Sequence, residues 1–431
     1  MGSLGDARPR SVVRCRSEQD VVRSIRYASA AGLRVTPRGG GHCFAGRSSS
    51  GDIVLDLSGL DGVAFVDDET VEVGAGVLLG GLYAALHDRD RTLPAGCGST
   101  VGVAGLALGG GIGLLGRAHG LTCDRLLAAR VVLADGRTVE CDEQHEPDLF
   151  WALRGAGGGQ FGVVTLLRLS TVPEPVVRAI ESGPVAGDLA RVLSAWQRSA
   201  GDAPDELTMN LTVERTSSGR PTATFTGVST LPAAETESLL REFAASAGIA
   251  PPQVSGAVPF STLKEALADR GRATVGQGIR IRSEFFSRPM TDRTTAALMG
   301  ELASDGAPVE RRLTFTAMGG AYDRVATGDT AFAHRTERYL LEHVGSPEDP
   351  WVDRSWATVH SEASGRVYPN FPDLALDDPL TAYHGDNLAR LSAVKRQYDP
   401  SEFFHFPQSI PPEQTGSSTG SPQGDTKEVP A

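Results

Sequence analysis

Arg38-Gly39-Gly40-Gly41-His42 is the stretch from which the rest of the chain can be read. Three consecutive glycines run directly into a histidine. Two further glycine-dense blocks follow, Cys97 to Gly113 (CGSTVGVAGLALGGGIG) and Gly155 to Val164 (GAGGGQFGVV). Glycine lets backbone approach a ligand closely and supplies the positive-φ conformations that turn successive N–H groups the same way. Three nearly bare loops within the first 165 residues therefore point to a long anionic ligand held by main-chain donors, with His42 beside it.

The composition limits what that ligand can be. The chain has 431 residues, enough for two or three domains, with 40% apolar and 22% charged residues, ordinary for a globular protein. Glycine is in excess, 51 of 431 or about 12% against a usual ~7%. The net charge of −12 (41 basic against 53 acidic residues) argues against sequence-independent binding to nucleic acid, which needs a basic face. No run reaches the ~18 apolar residues of a membrane span. The start, MGSLGDARPRS, has no charged region followed by an apolar one, so no secretory signal is read there. Cys15, Cys43, Cys97, Cys123 and Cys141 are odd in number and lack metal-type spacing, which points to neither a disulfide framework nor a zinc site. A cytoplasmic protein without a metal is the expectation.

Helix and strand signals alternate at first. Ser17 with Asp20 three residues later has the form of a capping box, and Val21, Val22, Ile25 and Ala28 make one apolar helical face. Leu33 to Thr36 reads as a strand entering the first glycine loop, and Ile53–Leu57 and Thr70–Val73 as further strands. Arg130 to Cys141 reads as a hairpin turning at Asp135-Gly136, and Pro147 opens a helix running to Arg154. From about Val176 glycine thins. Leu207–Val213 and Thr222–Val228 alternate like antiparallel strands, with helices at Ala233–Ala247 and Thr291–Ala303, which predicts a sheet covered on one face by helices. A helix around Asn387–Arg396 stops at Tyr398-Asp399-Pro400, and the Pro/Gly/Ser/Thr-rich residues from Pro411 read as a disordered tail.

Gly111-Ile112-Gly113-Leu114-Leu115-Gly116 fits the spacing of a dinucleotide-binding fingerprint. That motif needs a strand before it, a helix after it and an acid ending the next strand, and the flanking residues supply none of these. A different resemblance covers far more of the chain. Arg38-Gly-Gly-Gly-His42, Pro94-Ala-Gly-Cys97-Gly-Ser-Thr-Val-Gly-Val-Ala-Gly105, Gly109-Gly-Gly-Ile-Gly113, Gly120-Leu-Thr-Cys-Asp124, Asp148-Leu-Phe-Trp-Ala-Leu-Arg-Gly155 and Gly159-Gln-Phe-Gly-Val-Val164 follow in order. Together they resemble the PCMH-type FAD-binding domain of the vanillyl-alcohol-oxidase superfamily. Tyr383-His-Gly-Asp-Asn387, Lys395, Tyr398-Asp-Pro400 and Gln408-Ser-Ile410 resemble its berberine-bridge-enzyme branch.

The resemblance implies an α+β fold. A PCMH-type FAD-binding domain (1–175) is completed by a C-terminal segment (365–410), with an inserted antiparallel sheet and helices (176–364) roofing the substrate and a tail at 411–431. FAD is the implied cofactor, its pyrophosphate across the first two glycine loops. The residues implied to hold it are Arg38, Gly39, Gly40, Gly41, His42 and Gly46, then Cys97, Thr100, Val101, Gly102, Gly105, Leu106, Gly109, Gly110, Gly111 and Gly113. Asp124, Gly159, Gly162, Val163, Val164, Asn370 and Tyr383 complete the set. By position His42 corresponds to the histidine that relatives bond to the flavin 8α-methyl. Many relatives add a cysteinyl link. Aligned on Val101-Gly102, its position here is Gly98, so Cys97 falls one residue early; either the shift turns the thiol away or the flanking Gly96 and Gly98 absorb it.

A tyrosine that serves as base in some relatives is replaced by phenylalanine in Asn370-Phe371-Pro372-Asp373. Tyr368, Tyr383, His334 and Glu284 are the candidates to replace it, the last two on stretches that resemble roof strands. The implied function is FAD-dependent oxidation of a small organic molecule, with hydride passing to flavin N5 and O₂ returning H₂O₂. Two alternatives stay open: a flavoenzyme using another acceptor, and a non-catalytic flavoprotein that sequesters a toxic small molecule.

Overall fold

The computed structural model describes residues 8–49, 51–216, 219–272, 279–304 and 310–413. Within them the chain builds two sheet-and-helix layers that meet over the glycine loops.

The first layer starts with a three-stranded parallel sheet in the order Ser11–Arg14, Ile53–Asp56, Val35–Arg38. The helix Glu18–Ala30 links the two outer strands, and its capping box forms as the sequence predicts: Ser17 Oγ accepts from Asp20 N–H, and Asp20 Oδ2 accepts from Ser17 N–H at 2.9 Å. Its Val21, Val22, Ile25 and Ala28 are buried. A five-stranded antiparallel sheet follows, ordered Val63–Phe65, Thr70–Gly74, Val163–Ser170, Leu126–Val132, Thr138–Cys141. Its hairpin turns at Asp135-Gly136, where Gly136 has φ +76°.

The second layer is a seven-stranded antiparallel sheet ordered Gln253–Pro259, Val176–Glu181, Thr222–Ser229, Leu207–Arg215, Arg311–Ala317, Tyr339–Gly345, Arg280–Phe286. The helices Leu189–Ser199, Ala233–Ala247, Asp292–Ala303 and Trp351–Val359 cover one face. On that face Leu211, Val213, Phe225, Leu313, Phe315 and Leu341 form a core with Trp196, Phe243 and Trp351. Because strand side chains alternate, Asn210, Thr314, Thr316, Leu340 and Glu342 take the opposite face.

The chain then returns to the first layer. Leu391, Val394, Tyr398, Phe404 and Ile410 belong to the same core as Val21, Leu82 and Val131. Lys395, fully buried, bonds Asp399 Oδ2 at 2.7 Å and donates to the carbonyls of Gln160 and Phe404. Two buried arginines join the layers. Arg117 donates to the carbonyls of Leu207, Gly201, Ala203 and Met318, and Arg335 grips Asp124 in a two-pronged pair at 2.7 and 2.9 Å. Of the tail expected from Pro411, Glu413 N–H still donates to Ser392 O at 3.0 Å, while 414–431 lie outside the described residues. No helix among the described residues is long and apolar enough to cross a membrane.

Candidate active site

The strand Val35–Arg38 ends where the first glycine loop begins, and the loop packs directly on the second. A Cβ on Gly40 would fall 2.3 Å from Gly102 N, and one on Gly102 would fall 2.4 Å from Gly40 N, so only bare backbone allows this approach. Among the described residues the N–H groups of Gly40, Gly41 and His42 donate to no protein acceptor. They stand at the wall of a cavity of about 610 Å³, within the range of small-molecule and cofactor sites. Unpaired main-chain donors at a glycine wall suit the phosphate oxygens of a dinucleotide cofactor. FAD fits this site on the chemistry of its donors.

Of the residues implied for the cofactor, Gly39, Gly40, Gly41, His42, Cys97, Val101, Gly102, Gly105, Leu106 and Gly113 line this cavity. Gly159, Gly162, Val164 and Asn370 do so from its other side. Gly98 lines it as well, so Cys97 and its neighbour both border the same space. Arg38 lies on the reverse of the glycine loop, facing a more open cavity of about 830 Å³. Thr100 takes part through His42, whose Nε2 is 3.0 Å from Thr100 Oγ1. Burial is the main force holding the His42 imidazolium below the usual histidine range, which favours the neutral ring.

Gly46, Gly109, Gly110, Gly111, Asp124 and Val163, also implied for the cofactor, do not line the cavity. Gly109 is pressed by Asn370, whose Oδ1 would lie 2.1 Å from a Cβ there, while Asn370 Nδ2 donates to Leu106 O. Asp124 accepts from Leu121 N–H and pairs with Arg335. The Rossmann-like run beginning at Gly111 follows a helix, Val103–Leu108, and not a strand.

The four candidates for proton transfer separate. Tyr368 lines the cavity, but its oxygen accepts from Gly111 N–H (3.0 Å), Ile112 N–H (3.2 Å) and Asn370 Nδ2 (3.0 Å), and burial raises its pKa. It anchors the loop. Tyr383 is buried outside the cavity, bonding Asp373 and Gln408, and burial pushes it up to about 12. His334 lies in the connection after the Arg311–Ala317 strand, outside any strand, buried against Phe285 and Phe332. Glu284 does sit on a strand, but on the helix-facing side. Its Oε2 is 2.9 Å from His360 Nδ1, and Oε1 is 3.8 Å from His343 Nε2. Neither His334 nor Glu284 lines the cavity.

A carboxyl that does is that of Glu342, which the motifs did not single out. It pairs in register with Ser283 and Thr314, and its carboxyl enters the cavity beside Asn210, Thr314, Thr316 and Leu340. Burial pushes its pKa up to about 7, against a smaller opposing pull from Arg312. The sequence signal was there: one acid in an otherwise apolar and aromatic strand, Tyr339-Leu-Leu-Glu-His-Val344. Phe371, in the place of the expected tyrosine, also lines the cavity, edge-on to Phe44 and to Tyr368.

Comparison with known proteins agrees with this architecture. Residues 9–142 match the family model described as "FAD binding domain", and residues 367–411 match "Berberine and berberine like". The FAD-linked oxidoreductase YgaK of Bacillus subtilis (strain 168) is 32% identical over 425 residues, covering 94% of this chain and 91% of YgaK. A chitooligosaccharide oxidase superposes with a TM-score of 0.86 at 25% identity, over 94% of this chain and 92% of its own. The glucooligosaccharide oxidase of Acremonium strictum, described with a 6-S-cysteinyl, 8α-N1-histidyl FAD, superposes at 0.85 and 25% identity over the same shares. Bare glycine loops, a histidine at their end, a C-terminal segment folded into the same core and a relative of this identity over nearly the whole length lead to one assignment: the chain belongs to the berberine-bridge-enzyme-like family of FAD-linked oxidoreductases of the PCMH superfamily.

Proposed function

We propose that the protein is an oxidase that removes hydride from a C–H bond bearing oxygen or nitrogen in a small organic molecule, and passes the electrons to O₂. The observation that carries this reading is Glu342, a carboxyl tuned to about 7 and set on the roof of the cavity that His42 borders. A general base works best when its pKa lies near the operating pH. Bound FAD would supply the hydride acceptor, with dioxygen as the final one. The chain's own residues do the rest. Glu342 takes the proton from the substrate O–H or N–H as the C–H bond breaks. Asn210, Thr314 and Thr316 offer the polar contacts that orient the substrate under the sheet. Phe44, Phe371 and Leu340 keep the reacting carbon in apolar surroundings.

His42 is the proposed site of covalent attachment. With Nε2–H placed to donate to the Thr100 hydroxyl oxygen, Nδ1 carries the lone pair that would bond the flavin, and burial favours the neutral ring over the imidazolium. Cys97, which lines the same cavity, is the thiol proposed for a second bond. The reading is tested by anaerobic mixing of the purified protein with a panel of alcohols, amines and sugars, followed by admission of air. A substrate that bleaches the flavin should then yield one H₂O₂ per turnover. Bleaching and turnover with an artificial dye but no peroxide would favour a dehydrogenase, and tight binding without bleaching would favour sequestration.

A further inference from the structure

Cys97 shares its corner of the cavity with a buried lysine that the oxidation chemistry does not use. Lys264, on the helix Phe260–Arg272, is 4% exposed. Its Nζ donates to Gly96 O at 2.6 Å and to Ala95 O at 3.1 Å, the two carbonyls that precede Cys97. The ammonium lies 4.2 Å from the centre of the Tyr83 ring and 5.4 Å from that of Phe260. Tyr83 in turn donates to the same Gly96 oxygen at 2.9 Å. An ammonium has three donors, and the carbonyls occupy two. Among the described residues, the ionisable group acting on Lys264 is the Cys97 thiol, itself packed between the cavity and Phe260. A lysine this deeply buried needs a counter-charge or must give up its proton. Burial accordingly pulls it below the usual lysine range.

We propose that Lys264 takes the proton of Cys97 and holds its sulfur as a thiolate at the cavity wall, which makes Lys264 the positioning residue for a sulfur–flavin bond. The proposal rests on reading the cavity as the flavin site. The step balances. The thiol proton passes to Lys264 Nζ and on to solvent, and a C–S bond forms at a ring carbon of the oxidised cofactor. That carbon loses its hydrogen as a proton, and the two electrons reduce O₂ to H₂O₂. Thiolate and not thiol is the attacking species, so the rate follows the thiolate fraction. Lys264 also explains how a cysteine one residue early can serve: the lysine grips the carbonyls on its N-terminal side and fixes the loop around it.

Peptide mass mapping of the aerobically purified holoprotein tests this without reference to turnover. In the parent, flavin should be found on both the His42 and the Cys97 peptides. In Lys264→Met it should remain on His42, while Cys97 stays a free, alkylatable thiol and its bond forms at least tenfold more slowly. Raising the pH of that variant from 7 toward the thiol range should speed the Cys97 bond about tenfold per unit. In the parent, whose thiolate Lys264 already forms, the rate should stay flat over the same range, whereas a lysine that merely braced the loop would leave parent and variant rising with pH alike. Lys264→Gln can still donate to Gly96 O but has no basic nitrogen, and should behave like Lys264→Met. A parent with flavin on His42 and a free Cys97 thiol overturns the proposal, as does parental Cys97 attachment in either variant or a variant rate that ignores pH. Absence of flavin from His42 as well would instead overturn the flavin reading.

Discussion

Glu342 carries the tension between folding and function most clearly. Its carboxyl is raised from 4.5 to about 7, so the fold favours the protonated form. Stability from this group is fully present below pH 4.5 and is lost as pH rises through 7. Activity runs the other way, since a base must be unprotonated. Glu342→Gln should therefore lower kcat by ~10²–10³-fold and abolish the limb of kcat/KM that rises with pH to a plateau above about 7. The same change should stabilise the protein above pH 7, by about 1–2 kcal/mol, because the carboxylate stands half-buried at the cavity wall, where solvent screens part of the burial cost. Thermal melts at pH 5 and pH 8.5, beside steady-state rates, check both signs. Loss of activity with a lower melting temperature at pH 8.5 would mean that Glu342 holds the fold instead.

Strand register separates Glu342 from Glu284. Ser283 faces Glu342 and Glu284 faces Leu341, so one step along the ladder moves a carboxylate from the cavity to the helix side. The glycine loops and His42 were legible because close backbone approach leaves a mark in composition, and Gly40 against Gly102 is that mark made spatial. The choice between two acids was not legible, because facing depends on which strand pairs with which. Lys264 was hidden for a related reason: nothing in its helix tells which way a lysine points. Tertiary pairing also decides how the C-terminal segment meets the roof. Arg282, on the edge strand Arg280–Phe286, holds Asp373 at 2.6 Å with both side chains at 6–7% exposure, and its guanidinium lies 3.7 Å from the Trp356 ring centre. That pair fixes the Asn370–Asp373 turn that brings Phe371 to the cavity. Arg282→Met strands a buried carboxylate and should cost about 3–5 kcal/mol. Adding Asp373→Asn should recover a large part of it, and a double-mutant cycle in urea would measure the coupling. Additivity of the two single losses would deny the pair its role.

Across the whole molecule, burial of titratable groups sets a pH window for stability. His334 and His384 are enclosed where the roof and the C-terminal segment meet, and burial drives both down to about 3. Their contribution is complete above pH 6.5 and is lost as pH falls toward 3, since the unfolded chain binds protons that the native state refuses. Glu337 and Glu342 oppose them. Both are raised to about 7, so between pH 7 and 4.5 the native state takes up protons first and gains stability as the histidines lose it. The carboxyls offset only part of the loss from pH 6.5 to 4.5, because burial also holds His42, His119 and His343 below the usual histidine range. Below 4.5 only the histidines continue, joined by carboxylates such as Asp142, held down to about 2 by His145 and nearby backbone donors. Stability should thus fall gently from pH 6.5 to about 4.5 and steeply below it. His384→Phe isolates one component. The ring nitrogens of His384 have no partner among the described residues, so an apolar ring of similar size leaves no donor or acceptor stranded. Relative to the parent, this variant should gain about 1.4 kcal/mol per pH unit below 6.5, down to about pH 3. Urea midpoints of the two proteins at pH 7, 5.5 and 4.5 measure that difference directly. A difference that does not change with pH would show that His384 takes up its proton as readily in the native state as in the unfolded chain.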